Sequence, residues 1–417
     1  MYSLPVRRLK EILSHVFPGE TLGPVEQLTT TSLARLYSLT MSDDRRLVLS
    51  FPPSLSVHLL RHEASILSSE AKLSCLIAGS DPRVGGSNSK PEGPVSNHMA
   101  LSTLIPKVLR HSNDNREMGY PYSIFEPTAG VPLSTVALYL SRSERRSIDK
   151  QVGLMARALA SLTSPSGGFG PVDRVLPKPL LKVAPAPTAL EYKDARVFPE
   201  VTKMPPIEAS VEHTGSRTWS SAFHGLLEGV LRDGEDRAVL LPYEVIRAHY
   251  RRLSYHLDTV LIPRLLVLNI GNDRNIMVER GLDEEGSLKA PAEGVRVTGL
   301  RSWSQGVFGD PLLADCFDDP SEGCLEGWRE GGEEIIEDET HAQVRILLYR
   351  CFMTAVGIVT EYYRPQSDSS RRELECRRNL TSALAELEKI GVLDDTPKRA
   401  RSMSGDTELA KRQKVEN

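Results

Sequence analysis

The sequence predicts an α+β protein of two lobes. Three observations carry this reading: an N-terminal stretch whose apolar residues alternate as in strands, with one helical pattern embedded in it; a short connector near residues 125–130; and a C-terminal stretch of mainly helical spacing around a small β insert. With 417 residues, 40% of them hydrophobic, the chain is long enough to give each lobe its own core.

Residues 1–20 form an N-terminal helical segment: Leu9, Ile12, Leu13 and Val16 share one side of a helix over 4–17, and Pro18-Gly19-Glu20 turns the chain. The first lobe then spans 21–127. Runs at 25–28, 33–39 and 47–51 read as strands, with Ser42-Asp43-Asp44 as the turn between the second and third. Residues 57–69 have helical spacing, with Leu59, Leu60, Ile66 and Leu67 on one face, and 78–97 is a Gly, Ser and Pro-rich solvated loop. Two further strands are expected within 103–111 and 120–127.

The second lobe spans 128–393. A long helix begins at the capping box Ser141-x-x-Glu144 and buries Ile148, Val152, Met155, Leu159 and Leu162. Residues 164–217 read as an irregular insert, followed by helices at 219–232 and 243–260. A strand pair at 265–268 and 276–278 flanks a polar loop; a strand at 295–301 and helices at 338–362 and 370–390 complete the lobe. The tail, 394–417, is charged, basic at two points and weakly apolar, as in disordered segments.

Composition narrows the function classes. A net charge of −4, from 51 basic and 55 acidic residues, gives no global field favouring nucleic acid or an anionic membrane. Cys75, Cys316, Cys324, Cys351 and Cys376 are odd in number and lack metal-ligand spacing, so free thiols in a reducing compartment are expected. The N-terminus has no signal-peptide core, and no stretch is expected to reach the roughly 18 apolar residues that cross a bilayer. An intracellular protein, cytoplasmic, nuclear or both, is the resulting expectation.

Four ordered stretches, "RRLVLSFPP…LLRHEASIL", "LIPKVLRH…YPYSIFEPTAGVPL", "PRLLVLNIGNDRNIMV" and "VTGLRSWSQGVFGDPLLADCF", extend over residues 20–360. Together they resemble the aminoglycoside phosphotransferase-like branch of the protein kinase-like superfamily, above all its divergent fungal members. The resemblance implies a protein kinase-like two-lobed fold with ATP and magnesium bound between the lobes. It also implies phosphoryl transfer to a small hydroxylated or amino substrate, in a setting of small-molecule (secondary metabolite) biosynthesis.

Carried over position by position, the resemblance finds the chemistry missing. The strand lysine that holds nucleotide phosphates is replaced by Ser50, while Glu63 stands at the position of its helix partner. The phosphate-covering stretch "QLTTTSLARLY" has no glycine, although close backbone approach to phosphates needs one. Counting back five from the metal-binding Asn275 to the general base gives Ile270, or Asn269 with one residue of slippage. Asp273 lies in the loop as a turn residue or as a substitute metal ligand beside Asn275. The second metal-binding Asp is replaced by Ser302, a poor ligand for a hard divalent cation. In "GDP", Asp310 matches a residue that is structural in the family and braces the catalytic loop. A positioned general base is worth about 10²–10⁴ in rate, so joint loss of base, lysine and metal ligand removes phosphoryl transfer as a unit.

Other motifs have bland explanations. His256-x-Asp258 imitates a kinase His-x-Asp but sits on a helical pattern, with Pro263 where the asparagine belongs. Arg247, Arg251 and Arg252 form a basic helix stripe, for an anion or simply solvated. In the tail, Lys398-Arg399 and Lys411-Arg412, separated by eleven residues, have the spacing of a bipartite nuclear import signal.

The leading reading is therefore a pseudokinase that binds a small molecule or a protein partner in the interlobe cleft. The alternatives are an active ATP- and magnesium-dependent phosphotransferase using Asp273, Asp310 or Glu63, and a nuclear interaction protein directed by its tail.

Overall fold

The computed structural model describes residues 4–28, 33–80, 101–177, 215–280 and 294–390. The tail with its two basic pairs, most of the 78–97 loop and residues 178–214 of the insert lie outside the described residues.

Period-2 alternation builds the first lobe. Strands β1 (Leu22–Leu28), β2 (Arg35–Met41), β3 (Arg46–Phe51), β4 (Val108–Ser112) and β5 (Tyr122–Phe125) form an antiparallel sheet of order β1-β2-β3-β5-β4. Leu47, Leu49 and Phe51 point to one face, where they pack with Leu9 and Leu13 of helix α1 (Val6–Val16). The intervening Ser50 points to the other face, directly opposite Leu36 and Ser123, and Ser123 in turn is opposite His111. The expected strands thus exist, and their ends move by a few residues.

One expectation shifts further. A helix over 57–69 is not formed: Arg61–Glu63 makes a single 3-10 turn, and α2 runs Ile66–Ser80. Leu60 stays extended because the Glu63 carboxylate accepts the Leu60 N–H at 2.9 Å, closing a tight local loop. The apolar run at Leu67, Leu73, Leu76 and Ile77 carries the helix instead, so the expected 78–97 loop begins three residues too early.

The second lobe is built on α4 (Arg142–Ala160). Its capping box is complete, Ser141 Oγ accepting from Glu144 N at 3.2 Å and Glu144 accepting from Ser141 N at 2.8 Å. Short elements β6 (Val131–Pro132), α3 (Leu133–Val136), β7 (Gly170–Pro171) and α5 (Val172–Val175) precede α6 (Trp219–Asp236) and α7 (Tyr243–Leu253). The expected pair β8 (Arg264–Val267) and β9 (Ile276–Arg280) does not form a hairpin. β9 pairs with β10 (Val295–Leu300) and β6, whereas β8 pairs with β11 (Gly306–Gly309), which also pairs with β7. Residues 268–275 therefore bridge two separate sheets.

Three helices close the lobe: α8 (Glu322–Glu330), α9 (Glu339–Tyr363) and α10 (Ser369–Lys389). α8 lies so close to α4 that a Cβ at Gly153 or Gly327 would come within 2.0 Å or 1.9 Å of the facing backbone carbonyl. α9 corrects the expectation of no bilayer-length apolar stretch, since its 25 residues are long and apolar enough by composition. It is a core helix here, with Leu348, Phe352, Ala355, Ile358 and Val359 buried against the rest of the lobe.

Candidate interlobe site

The loop between β8 and β9 is shaped by its own amides. Asn272 accepts the Arg274 N–H on its side chain at 2.9 Å, and its carbonyl accepts the Asn275 N–H at 2.7 Å, which returns the chain into β9. Asn275 is buried and spends its whole amide on backbone. Its Nδ2 donates to Asn269 O and Ser302 O, both at 3.2 Å, and its Oδ1 accepts the Ser302 N–H at 3.0 Å. The amide thereby ties the loop to the end of β10.

Ile270, to which the resemblance gives the general-base position, is 1% exposed and packs into the core of the lobe. The neighbouring Asn269 has a buried Oδ1 without a hydrogen-bond partner. Neither side chain can take a proton from a hydroxyl. Ser302, whose hydroxyl lies 2.8 Å from that of Ser304, contributes only backbone to Asn275.

Asp273 is not a ligand beside Asn275. Its carboxylate accepts from Arg145 Nη1 at 2.8 Å and its carbonyl accepts from Ser134 N at 2.9 Å, so it anchors the loop tip to α3 and α4. Among the described residues no group of three or more His, Cys, Asp or Glu is disposed to hold a metal ion. The residues present do not fit magnesium.

Ser50 is fully buried, and its hydroxyl lacks a partner. The row it begins continues through Ser123 to His111, whose Nδ1 is 2.8 Å from Ser123 Oγ and whose pKa burial lowers. A neutral row of hydroxyl and imidazole thus stands on the face where the lysine would project.

Glu63 is a correction. It precedes α2, and both its oxygens bind the Arg364 guanidinium at 2.7 Å, so it fastens the lobes at the end of α9 and is removed from the cleft. The helix carboxylate turned toward the strand-terminal triplet is Glu70, which accepts the Trp303 N–H at 3.0 Å. Burial pushes the Glu70 carboxyl up to about 7, the Trp303 hydrogen bond offsetting this only in part. Its sequence signal was a lone acid inside the apolar run of α2, between Leu67 and Leu73.

Asp310 sits in a buried hydrogen-bond network and does not brace the loop directly. Its Oδ2 accepts from Arg345 Nε at 2.7 Å and Tyr349 OH at 2.8 Å, and Trp219 Nε1 donates to Tyr349 OH at 2.7 Å. Asp310 is 1% and Arg345 0% exposed. The loop brace is Asp315, which the sequence reading missed: its carboxylate accepts the Gly271 N–H at 2.6 Å, while its own N–H donates to Leu268 O at 2.9 Å. Burial raises the Asp315 carboxyl to about 7 despite those amide donors.

The decoys resolve quietly. His256 is buried beside His341, with ring centroids 4.6 Å apart, and Asp258 caps Ser220 N at 3.3 Å. The arginine stripe is neither free nor merely solvated, since Arg247 is bound by Glu228 and Glu235 and Arg252 donates to Leu387 O.

No family model matches this sequence, and no curated protein matches it. Solved structures do. A protein from Ralstonia eutropha JMP134, described as an aminoglycoside phosphotransferase, superposes with a TM-score of 0.56 at 11% identity, covering 93% of this chain and 99% of its own. A Thermobifida fusca protein described as a fructosamine-3-kinase gives 0.49 at 12% identity, covering 90% and 98%. The GDP complex of an aminoglycoside 2'-phosphotransferase-IIIa variant gives 0.47 at 15% identity, covering 91% and 99%. The first likeness establishes the fold: this chain has the protein kinase-like two-lobed architecture over nearly its whole length.

Proposed function

We propose that this chain is a pseudokinase of aminoglycoside phosphotransferase-like build, acting by binding a small molecule or a protein in the interlobe cleft. The observation that supports it is the burial of Ile270 in the core at the position that the resemblance gives to the proton acceptor, beside an Asn275 whose amide makes three hydrogen bonds to backbone. Ser50 and Ser302 remove the remaining charged groups of phosphoryl transfer, which depends on positioning and charge stabilisation more than on covalent chemistry. With donor set and base both absent, no catalytic step is assigned to the cleft.

A thermal-shift titration with ATP, with and without magnesium, followed by a phosphate-transfer assay, tests this reading. The expected result is a melting temperature that does not respond to magnesium and no transfer to sugar or amine acceptors. Magnesium-dependent stabilisation together with transfer would overturn it.

A further inference from the structure

Two of the five cysteines meet beneath the loop. Cys316 lies in the 3-10 turn Asp315–Phe317, and Cys324 lies in the first turn of α8. The Cys324 Sγ is 3.9 Å from Cys316 O, and the two thiols are within hydrogen-bonding reach of each other. Their mutual position is fixed from two sides. Glycine-mediated packing holds α8 on α4, and a Cβ built at Gly271 would come 3.0 Å from Cys316 Cβ. Cys75, Cys351 and Cys376 make no such pairing with them among the described residues.

We propose that Cys316 and Cys324 are a modification site that peroxide converts to a disulfide, stapling α8 to the segment that holds Gly271. Cys324 is the nucleophile: it accepts the Cys316 S–H hydrogen bond and sits at a helix N-terminus, and both favour its thiolate, whereas that same bond holds Cys316 as a thiol. Cys316 is the less completely covered of the two, so peroxide reaches the pair from its side. The Cys324 thiolate attacks one peroxide oxygen, the O–O bond breaks, and the departing hydroxide leaves as water with a solvent proton, giving a sulfenic acid. The Cys316 sulfur then attacks that sulfur; the S–S bond forms as the S–O bond breaks, and the hydroxide takes the Cys316 proton as water. Two thiols lose two hydrogens in all, and one peroxide becomes two waters. The consequence lies in the loop, because the Asp315 carboxylate that accepts Gly271 N–H is the immediate neighbour of Cys316.

The test treats the full chain with a small excess of hydrogen peroxide, alkylates remaining thiols and maps peptides without reduction. Trypsin alone leaves both cysteines in the 302–329 peptide, two hydrogens light when oxidised, and added cleavage at Glu322 yields two peptides joined by the bond. The expected result is this linkage in most chains, a melting temperature roughly 2–5 °C above that of the reduced protein, and reversal of both by dithiothreitol. A Cys316→Ser variant should lose the linkage and accumulate a dimedone-trapped sulfenic acid at Cys324. Both thiols recovered free after peroxide, or a bond made chiefly to Cys75, Cys351 or Cys376, would overturn the proposal.

Discussion

Segment 268–275 has a supported underside and a bare cleft face. Below it, Asp315 holds Gly271 N–H, Asp310 gathers Arg345 and Tyr349, and Arg145 clasps Asp273. On its other side the same segment ties Asn275 to the backbone of Asn269 and Ser302, while Ile270 turns into the core of the lobe. The difference separates two uses of charge. Carboxylates that satisfy backbone and guanidinium groups in the core are kept, since removing one strands its partner. On the proposed reading, charges that would serve only a phosphate or a metal have given way to neutral or apolar groups at Ser50, Ile270 and Ser302.

The largest expected effect breaks the underside. Arg345→Met leaves the Asp310 carboxylate uncompensated in a site where neither residue exceeds 1% exposure, and should cost about 3–5 kcal/mol. Urea denaturation reads it as a lowered midpoint with an unchanged slope. A loss below about 1 kcal/mol would mean that the bond network through Tyr349 and Trp219 suffices without the cation.

Next comes the cleft face. Ile270→Asp inserts a carboxylate at a core position and should destabilise by roughly 2–4 kcal/mol. It should restore no phosphate transfer, because Ser50 and Ser302 remain. Appearance of transfer in this single variant would mean that the cleft had lost only its base.

How much of this was legible in the sequence differs between the same two regions. The fold was readable, because strand alternation and the capping box at Ser141 are local signals. The supports were not. Asp315, Glu70 and the Arg345 and Tyr349 contacts to Asp310 act across 35 to 233 residues of chain, and each looks like an ordinary charge or helix residue until packing supplies its partner. Glu63 misled for the converse reason: its position in the sequence suited the helix, but the backbone at Leu60 stays extended and Arg364 claims its carboxylate. The separation of β8 from β9 into different sheets was likewise set by long-range pairing, which a hairpin-like pattern with a polar loop cannot reveal.

Glu70, a buried carboxyl on α2 that accepts the Trp303 N–H, carries the third prediction. Its folded pKa, about 7, exceeds the ordinary 4.5. Below about pH 4 both folded and unfolded chains hold the proton, and the group is neutral to stability. Between 4.5 and 7 the unfolded chain releases a proton that the folded protein retains, so stability falls as pH rises, by an amount of order 2–3 kcal/mol once pH exceeds 7. Glu70→Gln removes the titration and keeps an acceptor for Trp303 N–H. The variant should gain on the parent between pH 5 and 8 in paired thermal melts. Asp315, raised in the same direction, is present in both proteins and cancels from the difference. Parallel curves would place a cation against Glu70 in solution and so narrow the contrast between the faces.

The smallest effect decides what Asp273 is. As the salt-bridge partner of Arg145, with side chains 33% and 40% exposed, it belongs to the class of solvent-screened pairs. Asp273→Asn keeps the turn, because asparagine satisfies the same backbone geometry, and the carbonyl bond to Ser134 is untouched. The expected loss is therefore below about 1 kcal/mol, shrinking further in salt as the Debye length contracts. A metal ligand behaves otherwise: its replacement would abolish a magnesium response that the parent shows, whatever it did to stability. Parent and variant melted with and without magnesium distinguish the two, since a loop anchor moves both curves together and leaves their separation unchanged. A magnesium-dependent gap in the parent that closes in the variant would transfer Asp273 from the supported underside to the cleft face, and would return a charge to the side of the loop on which none is now found.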